Sequence, residues 1–264
     1  MSQEKYWSIV WEMVESANVV LEVVDARYPS ICRSNRLEER VIELEDVNLL
    51  VALNKADLVP REYTEAWIKW FEENGEIHAL GVSATQRLGT SVIQKEILKA
   101  SRKKTAKVAV VGLPNTGKSS LINRLRGKKA ASTAPIAGHT RGKQIVRVSK
   151  SITMFDTPGV IPIKLPEKHH YLLGLTPVTK LDDPWQVAYL LYEQFEELEP
   201  GKFASYYDIE NDKNRILEQL AIKFNKIQKG GEPDEDSAAV MMITDHINGR
   251  IPIFEDIYHP LRFQ

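Results

Sequence analysis

The sequence predicts an α/β protein, a mostly parallel β-sheet with helices on both faces, followed by a small all-helical C-terminal domain. Three observations carry this. Strand and helix signals alternate over the first 165 residues. The fourth strand signal runs into a turn with phosphate-loop spacing. Strand signals then stop near residue 182. The implied division is 1–165 for the α/β domain, 166–181 for a connector and 182–264 for the helical domain.

Taken in order, Asn18 to Val24 is a β-branched run that ends in Asp25-Ala26-Arg27-Tyr28-Pro29. Asn48 to Leu53 is a second apolar strand, closed by Asn54. Glu62 to Glu73 reads as a helix, with Ala66, Trp67, Trp70 and Phe71 on one side. Ile77 to Val82 is a third strand, Thr90 to Lys99 a helix, and Val108 to Val111 the fourth strand. Lys143 to Val148 and Ile152 to Phe155 are two strands around a Ser149-Lys150-Ser151 turn. In the tail, Asp183 to Leu198 is helical in pattern. Asn211 is a cap candidate for a helix carrying Ile216, Leu220 and Phe224, and Asp236 for a last helix through Ile247, after a Gly230-Gly231-Glu232-Pro233-Asp234 break.

Composition sets the outer limits. The 264 residues are 43% hydrophobic and 27% charged, enough apolar content for a packed core. No apolar run approaches the roughly 18 residues of a membrane span, and Glu4 and Glu12 interrupt the place of a signal-peptide core. Cys32 is the single cysteine, which excludes an internal disulfide framework and a multi-cysteine zinc site. A cytoplasmic protein with no membrane or DNA partner is expected.

The net charge of −1 hides an asymmetry. Between Ile97 and Phe155 there are 14 Lys and Arg and no acidic residue, whereas Asp182 to Gln264 holds 17 Asp and Glu against 8 Lys and Arg. Lys118 aside, the basic stretch has no nearby acid in sequence to pair with, which favours RNA contact over a merely solvated face.

Gly112-Leu113-Pro114-Asn115-Thr116-Gly117-Lys118-Ser119 fits the phosphate loop G-x-x-x-x-G-K-[ST], after a strand and before a helical run beginning at Ser120. Backbone N–H groups of such a loop turn inward around a β-phosphate, and the helix N-terminus adds its positive dipole end. Lys118 would reach the β- and γ-phosphates and the Ser119 hydroxyl would bind Mg²⁺. A chance glycine turn is the bland alternative, and the flanking strand and helix argue against it.

Asn54-Lys55-Ala56-Asp57 ends a strand, where an open α/β sheet forms its ligand crevice. The Asp57 carboxylate can accept from both N1–H and the exocyclic amine of guanine, a pair adenine lacks. Asn54 suits the other edge of the base and the Lys55 stem can lie along the ring. Ser83-Ala84-Thr85 ends the third strand and could present backbone N–H to the guanine oxygen. Beside a phosphate loop, these two elements favour guanine over adenine. A third strand end, Asp156-Thr157-Pro158-Gly159, would hold Mg²⁺ through Asp156 and sense the γ-phosphate through the Gly159 N–H. Thr140, in Ile136-Ala137-Gly138-His139-Thr140-Arg141-Gly142, is either the switch threonine that ligates Mg²⁺ or a plain loop threonine.

The order of these elements is unusual: NKAD and SAT precede the phosphate loop, and DTPG follows it. In this the chain resembles the circularly permuted GTPases of the YlqF/RbgA ribosome-assembly type. The resemblance covers Asp25 to Pro29, NKAD, GLPNTGKSS, GHT and DTPG, and extends into the helical tail through Lys229 to Asp234. It implies GTP and GDP binding with Mg²⁺, GTP hydrolysis, and action on a large-subunit precursor, its rRNA or ribosomal proteins. It also places Asn115 at a position associated with K⁺, where a loop-stabilising amide is the alternative. Two features depart from the bacterial pattern. Tyr6 to Glu15 carries no Pro-Gly-His-Met element, and the tail, an RNA contact in the family, is acidic here. An archaeal or eukaryotic-like relative is therefore compatible. A GTP-gated protein scaffold without RNA is the main rival, supported by that tail, and a phosphate-loop kinase is disfavoured by the NKAD element.

Other features have plainer readings. His169-His170 lacks acid or Cys at ligand spacing and reads as a solvated loop. Cys32 sits in a polar stretch with no paired base. Trp7, Trp11, Trp67, Trp70 and Trp185 fall at helical spacings and read as packing residues.

Overall fold

The computed structural model describes residues 3–127, 144–156 and 165–257. The chain divides into two compact units, one running to Lys164 and the other spanning Leu165–Asp256.

The first unit is built on strands β1 (Val19–Asp25), β2 (Asn48–Asn54), β3 (His78–Gly81), β4 (Ala106–Val111), β5 (Gln144–Arg147) and β6 (Ile152–Asp156). They form one six-stranded sheet in the order β3-β2-β1-β4-β6-β5. Only β5 runs antiparallel, against β6. Val19 sits opposite both Asn48 and Val108, so β1 is central and buried along its whole length. That is why β1 reads as a mostly β-branched apolar run, interrupted at Glu22, rather than an alternating one.

Alternate residues of the central strands serve two apolar layers. Val19, Leu21, Val23, Val108 and Val110 pack with Ile93 and Ile97 of α5 (Thr90–Ala100) and with Leu121, Ile122 and Leu125 of α6 (Lys118–Arg126). Val20, Ala109 and Val111 face Trp7, Val10 and Val14 of α1 (Gln3–Glu15) and Leu37 and Val41 of α3 (Asn35–Ile42). Between β1 and α3 lies the short helix α2 (Pro29–Cys32), started by Pro29. It buries Cys32, which therefore lies in packed interior and not in the polar loop its neighbours suggested. Helix α4 (Arg61–Gly75) buries Trp67 and Phe71 one turn apart, and Glu76 closes it in a left-handed conformation.

The layer under α1 and α3 contains a buried carboxyl contributed by β1. Glu22, in the middle of β1, is fully buried and accepts from the Ser34 N–H at 2.7 Å. Burial and the neighbouring Glu38 carboxylate push its pKa well above the ordinary value, against the pull of the Ser34 N–H and of Arg33. A carboxyl with a raised folded-state pKa stabilises fully below its unfolded value, and that stability is lost as pH rises through the folded value. Glu22→Gln, which mimics the protonated form, should therefore be more stable than the parent at pH 8, with the gain shrinking toward pH 5. Urea unfolding at the two pH values checks this, and a gain independent of pH would contradict it.

The second unit is helical: α7 (Glu167–Leu172), α8 (Pro184–Leu198), α9 (Lys202–Tyr207), α10 (Ile216–Lys223) and α11 (Glu235–Ile247). Its core includes Leu191, Phe195, Phe203, Leu220 and Met242. Asp183 caps α8 by accepting from Gln186 N at 2.9 Å, with Pro184 in the first turn. Two cap assignments shift. Asn211 does not cap α10, which starts at Ile216; its amide donates to Glu196 and its carbonyl accepts from Tyr192. The cap of α11 is Asp234, accepting from Ser237 N at 3.0 Å, because an Ile227–Pro233 bridge ends the preceding turn there. His169 and His170 lie in α7, not in a solvated loop. His169 is buried, and burial, with Lys168 and His170 adding repulsion, pushes its pKa down to about 4. Trp7 and Trp67 are core residues, whereas Trp185 is exposed and stacks on Tyr189. Among the described residues no helix is long and apolar enough to cross a membrane.

Candidate nucleotide-binding site

Strand order reverses between β1 and β4, so their carboxyl ends flank the crevice where open α/β sheets take ligands. Four loops leave the strands at that end: Asp25-Ala26-Arg27 after β1, Asn54-Lys55-Ala56-Asp57 after β2, Ser83-Ala84-Thr85 after β3 and the Gly112–Ser119 loop after β4. Asp156 ends β6 on the far side of β4.

The phosphate loop wraps tightly. Gly112 has φ of 146°, and a Cβ there would lie 2.3 Å from the Val23 carbonyl oxygen. Gly117 has φ of 91°, and a Cβ would lie 2.3 Å from Asn54 Nδ2. Both positions require glycine. Thr116 braces the turn by donating from Oγ1 to Leu113 O at 3.0 Å, Pro114 is half-buried, and Asn115 takes a left-handed φ of 62°. Lys118 is buried, and its ammonium donates to Gly112 O at 3.0 Å and Leu113 O at 2.7 Å. Burial lowers its pKa to about 8, partly offset by Asp156. Ser119 and Ser120 are exposed at the start of α6, and the Ser119 hydroxyl donates to Asp156 Oδ2 at 3.0 Å. A hydroxyl and a carboxylate side by side at a phosphate loop form an oxygen donor pair suited to Mg²⁺.

Asn54 joins two loops. It is buried, its Nδ2 donates to Thr116 O at 2.8 Å, and its Oδ1 accepts from Ala84 N at 3.2 Å. Both amide groups are thus engaged in joining the phosphate loop to the Ser83-Ala84-Thr85 loop. Asp57 is exposed beside Thr85, whose hydroxyl approaches Asp57 Oδ2 at 3.4 Å. Ser83 is buried and accepts from Gln86 N at 2.9 Å, which closes its loop.

Lys55, in a left-handed conformation (φ 64°), donates from Nζ to Asp25 Oδ2 at 2.7 Å. The same carboxylate receives Arg27 Nε at 3.1 Å, Arg27 Nη2 at 2.9 Å and the Arg27 backbone N–H at 3.0 Å. Burial alone would raise the Asp25 pKa; the Arg27 and Lys55 charges outweigh it and hold the carboxyl well below the usual range.

Thr140 and Gly159 lie outside the described residues. Besides Lys118, several members of the basic stretch are committed within the fold, Arg147 among them through its Nε on Ser149 O at 3.3 Å. Lys99 pairs with Glu96 at 3.5 Å, and Arg124 donates to the carbonyls of Ala84 and Thr85. The Glu96 pairing was not anticipated because one helical turn brings in an acid that lies just before the acid-free window. Arg124 is the site-shaping residue that motif spacing missed, and Asp25, quoted within Asp25 to Pro29, had no role assigned to it. The sequence signal of Arg124 is its position, a cation late in the helix after the phosphate loop.

A family model described as a 50S ribosome-binding GTPase matches residues 107–220. An uncharacterized GTP-binding protein of Methanocaldococcus jannaschii is 35% identical over 252 residues, 94% of this chain and 66% of that protein. Nucleolar GTP-binding protein 2 of Pneumocystis carinii is 34% identical over 260 residues, 96% of this chain and 54% of its own length. The chain thus spans between half and two thirds of these relatives. Among solved structures, GNP-bound YlqF from T. maritima superposes with a TM-score of 0.65 at 25% identity, covering 93% of this chain and 94% of that one. A GDP-bound YlqF gives 0.66 at 24% identity, over 94% and 97%.

Proposed function

The chain belongs to the circularly permuted GTPases of the YlqF type, and from that premise we propose that it is a GTP-hydrolysing switch attaching to large-subunit ribosomal precursors through RNA contact. The observation that supports this best is Asn54, whose amide bonds the phosphate loop and the Ser83-Ala84-Thr85 loop together, so that a phosphate binder and a base reader face one crevice. In this reading the loop from Gly112 to Ser119 cradles the phosphates, Asp57 accepts from guanine, and Ser119 with Asp156 holds Mg²⁺, which neutralises charge on the phosphates. Thr140 and the Gly159 N–H would sense the γ-phosphate, and Asn115 would supply an oxygen to K⁺. Large-subunit precursors exist wherever ribosomes are assembled, which is the cytoplasm in a cell without a nucleolus.

The position after DTPG is Val160, which cannot orient a water by hydrogen bonding. Hydrolysis by the isolated chain should therefore run at ~10⁻³ s⁻¹ or below. Single-turnover GTP hydrolysis in K⁺ and in Na⁺ buffer checks both parts: a faster rate in K⁺ supports the Asn115 role, and equal rates remove it.

Lys118 gives a pH test. A cation with its pKa lowered to about 8 is charged below that value, so nucleotide affinity should fall as pH rises through 8. Lys118→Arg, charged throughout, should bind with a flatter profile. Parallel profiles for the two proteins would contradict the lowered pKa of Lys118. Competition between GTP and ATP for a fluorescent guanine nucleotide tests the nucleotide class itself: GTP should displace the probe and ATP should not. Equal displacement would overturn the guanine reading.

A further inference from the structure

We propose that the outer face of Trp185 is a docking point for an arginine side chain of a partner protein, drawn in by the carboxylates that flank it. The inference concerns the second unit and does not depend on the nucleotide site. Trp185 lies in the first turn of α8 and is 41% exposed, whereas Trp7 and Trp67 are buried. A loose surface tryptophan would need no explanation, but this one is held. Its ring stacks on Tyr189, one turn along the helix, with centroids 5.4 Å apart and planes 8° from parallel. Its indole N–H donates to Glu235 Oε2 at 2.8 Å, which ties α8 to the start of α11. One face of the indole and its single donor are thus engaged within the unit, and the other π-face remains for a partner. A ring fixed before contact loses little freedom on binding, and such rings concentrate interface energy.

The surroundings select the occupant. A π-face takes a cation, or stacks on a base or another ring. Lys213 shows the first kind within the same ladder: its Nζ lies 4.8 Å from the Tyr189 ring centroid and 2.6 Å from Glu193 Oε1, so that cation is already paired. Exposed carboxylates flank Trp185 from both helices, Asp182 and Asp183 just before it and Asp236 just after Glu235. The tail continues that sign, with 17 Asp and Glu against 8 Lys and Arg from Asp182 to Gln264. Such a surface repels the phosphates that a stacked nucleotide would bring and attracts a basic side chain. Of the two basic side chains, the planar guanidinium lies flat on a ring while its edge N–H groups reach neighbouring carboxylates. Protein contact is thereby assigned to this face of the second unit, and RNA contact to the basic stretch of the first.

The test is fluorescence anisotropy with the full chain and three probes: a labelled peptide of repeated Arg-Gly-Gly units, the same peptide with glutamine in place of arginine, and a labelled single-stranded RNA. The arginine peptide should bind and the glutamine peptide should not. Trp185→Ala and Trp185→Leu should each weaken the arginine peptide about tenfold, the scale of a desolvated cation–π contact at an interface. Leucine keeps apolar bulk over Tyr189 and removes the π-face, so it separates ring chemistry from packing and serves as the comparison should the alanine variant fail to fold. Parent-like binding of the arginine peptide by the leucine variant would reduce the attraction to charge alone and overturn the proposal. So would equal binding of the two peptides, or no binding of either. RNA binding that weakens with the same substitutions would replace the arginine with a stacked base.

Discussion

Asp57→Asn should exchange guanine for xanthine as the base this chain binds. The carboxylate offers two acceptors toward the N1–H and 2-amino group of guanine; an asparagine amide offers one acceptor and one donor. Xanthine carries a carbonyl at the 2-position, so the new donor finds a partner there and clashes with the guanine amine. Sites built to hydrogen-bond a ligand group reject analogues lacking it by several orders of magnitude, so the ratio of GDP to XDP affinity should shift by about that scale. The Asp57 side chain is exposed and only loosely held by Thr85, so the substitution should leave the fold intact. Binding of both diphosphates to both proteins, with thermal midpoints alongside, measures it. A variant that still prefers GDP would remove Asp57 from the base-reading role.

Asp25→Ala should strongly destabilise the first unit. One buried carboxylate receives three donors from Arg27 and one from Lys55. Arg27 is itself only 2% exposed, so deleting the carboxylate strips the counter-charge from a buried guanidinium. Removing one partner of such a pair costs about 3–5 kcal/mol, a large part of the 5–15 kcal/mol that holds a typical domain together. The Asp25 pKa is depressed in the fold, so its contribution is fully present above the ordinary carboxylate value and is lost only in acid. Neutral pH is thus where the loss should be greatest. Urea unfolding at pH 7 checks the magnitude, and a loss below about 1 kcal/mol, the scale of an exposed pair, would contradict it. Lys55 also loses its anchor, so the folded fraction of the variant should bind GDP more weakly than the parent.

These residues mark where the sequence was legible. The α/β core could be read because β1 and β4 are buried on both faces over most of their length and so appear as near-continuous apolar runs. The phosphate loop was legible because close backbone approach at Gly112 and Gly117 leaves no alternative residue. Helices α1 and α3 were not drawn from the sequence, since their buried faces are interleaved with glutamate and arginine that snorkel or pair at the surface. The loop-bracing role of Asn54 escaped a motif reading because it depends on the Thr116 carbonyl, 62 residues away. Arg124 escaped because nothing local separates a cation on backbone carbonyls from one awaiting RNA. Short caps, as at Asp234 in place of Asp236, depended on a turn that pairs Ile227 with Pro233.

Co-sedimentation of the full chain with purified large ribosomal subunits, with a non-hydrolysable GTP analogue, with GDP and without nucleotide, addresses the proposed switch most directly. A nucleotide-gated ribosome-assembly factor should pellet with the subunit in the analogue state and be released with GDP. If RNA phosphates are contacted, binding should also weaken steeply as salt is raised from 50 to about 200 mM. Nucleotide-dependent binding that ignores salt would point to a protein partner on the particle in place of RNA. Equal amounts pelleting in all three states, or none in any, would contradict the switch.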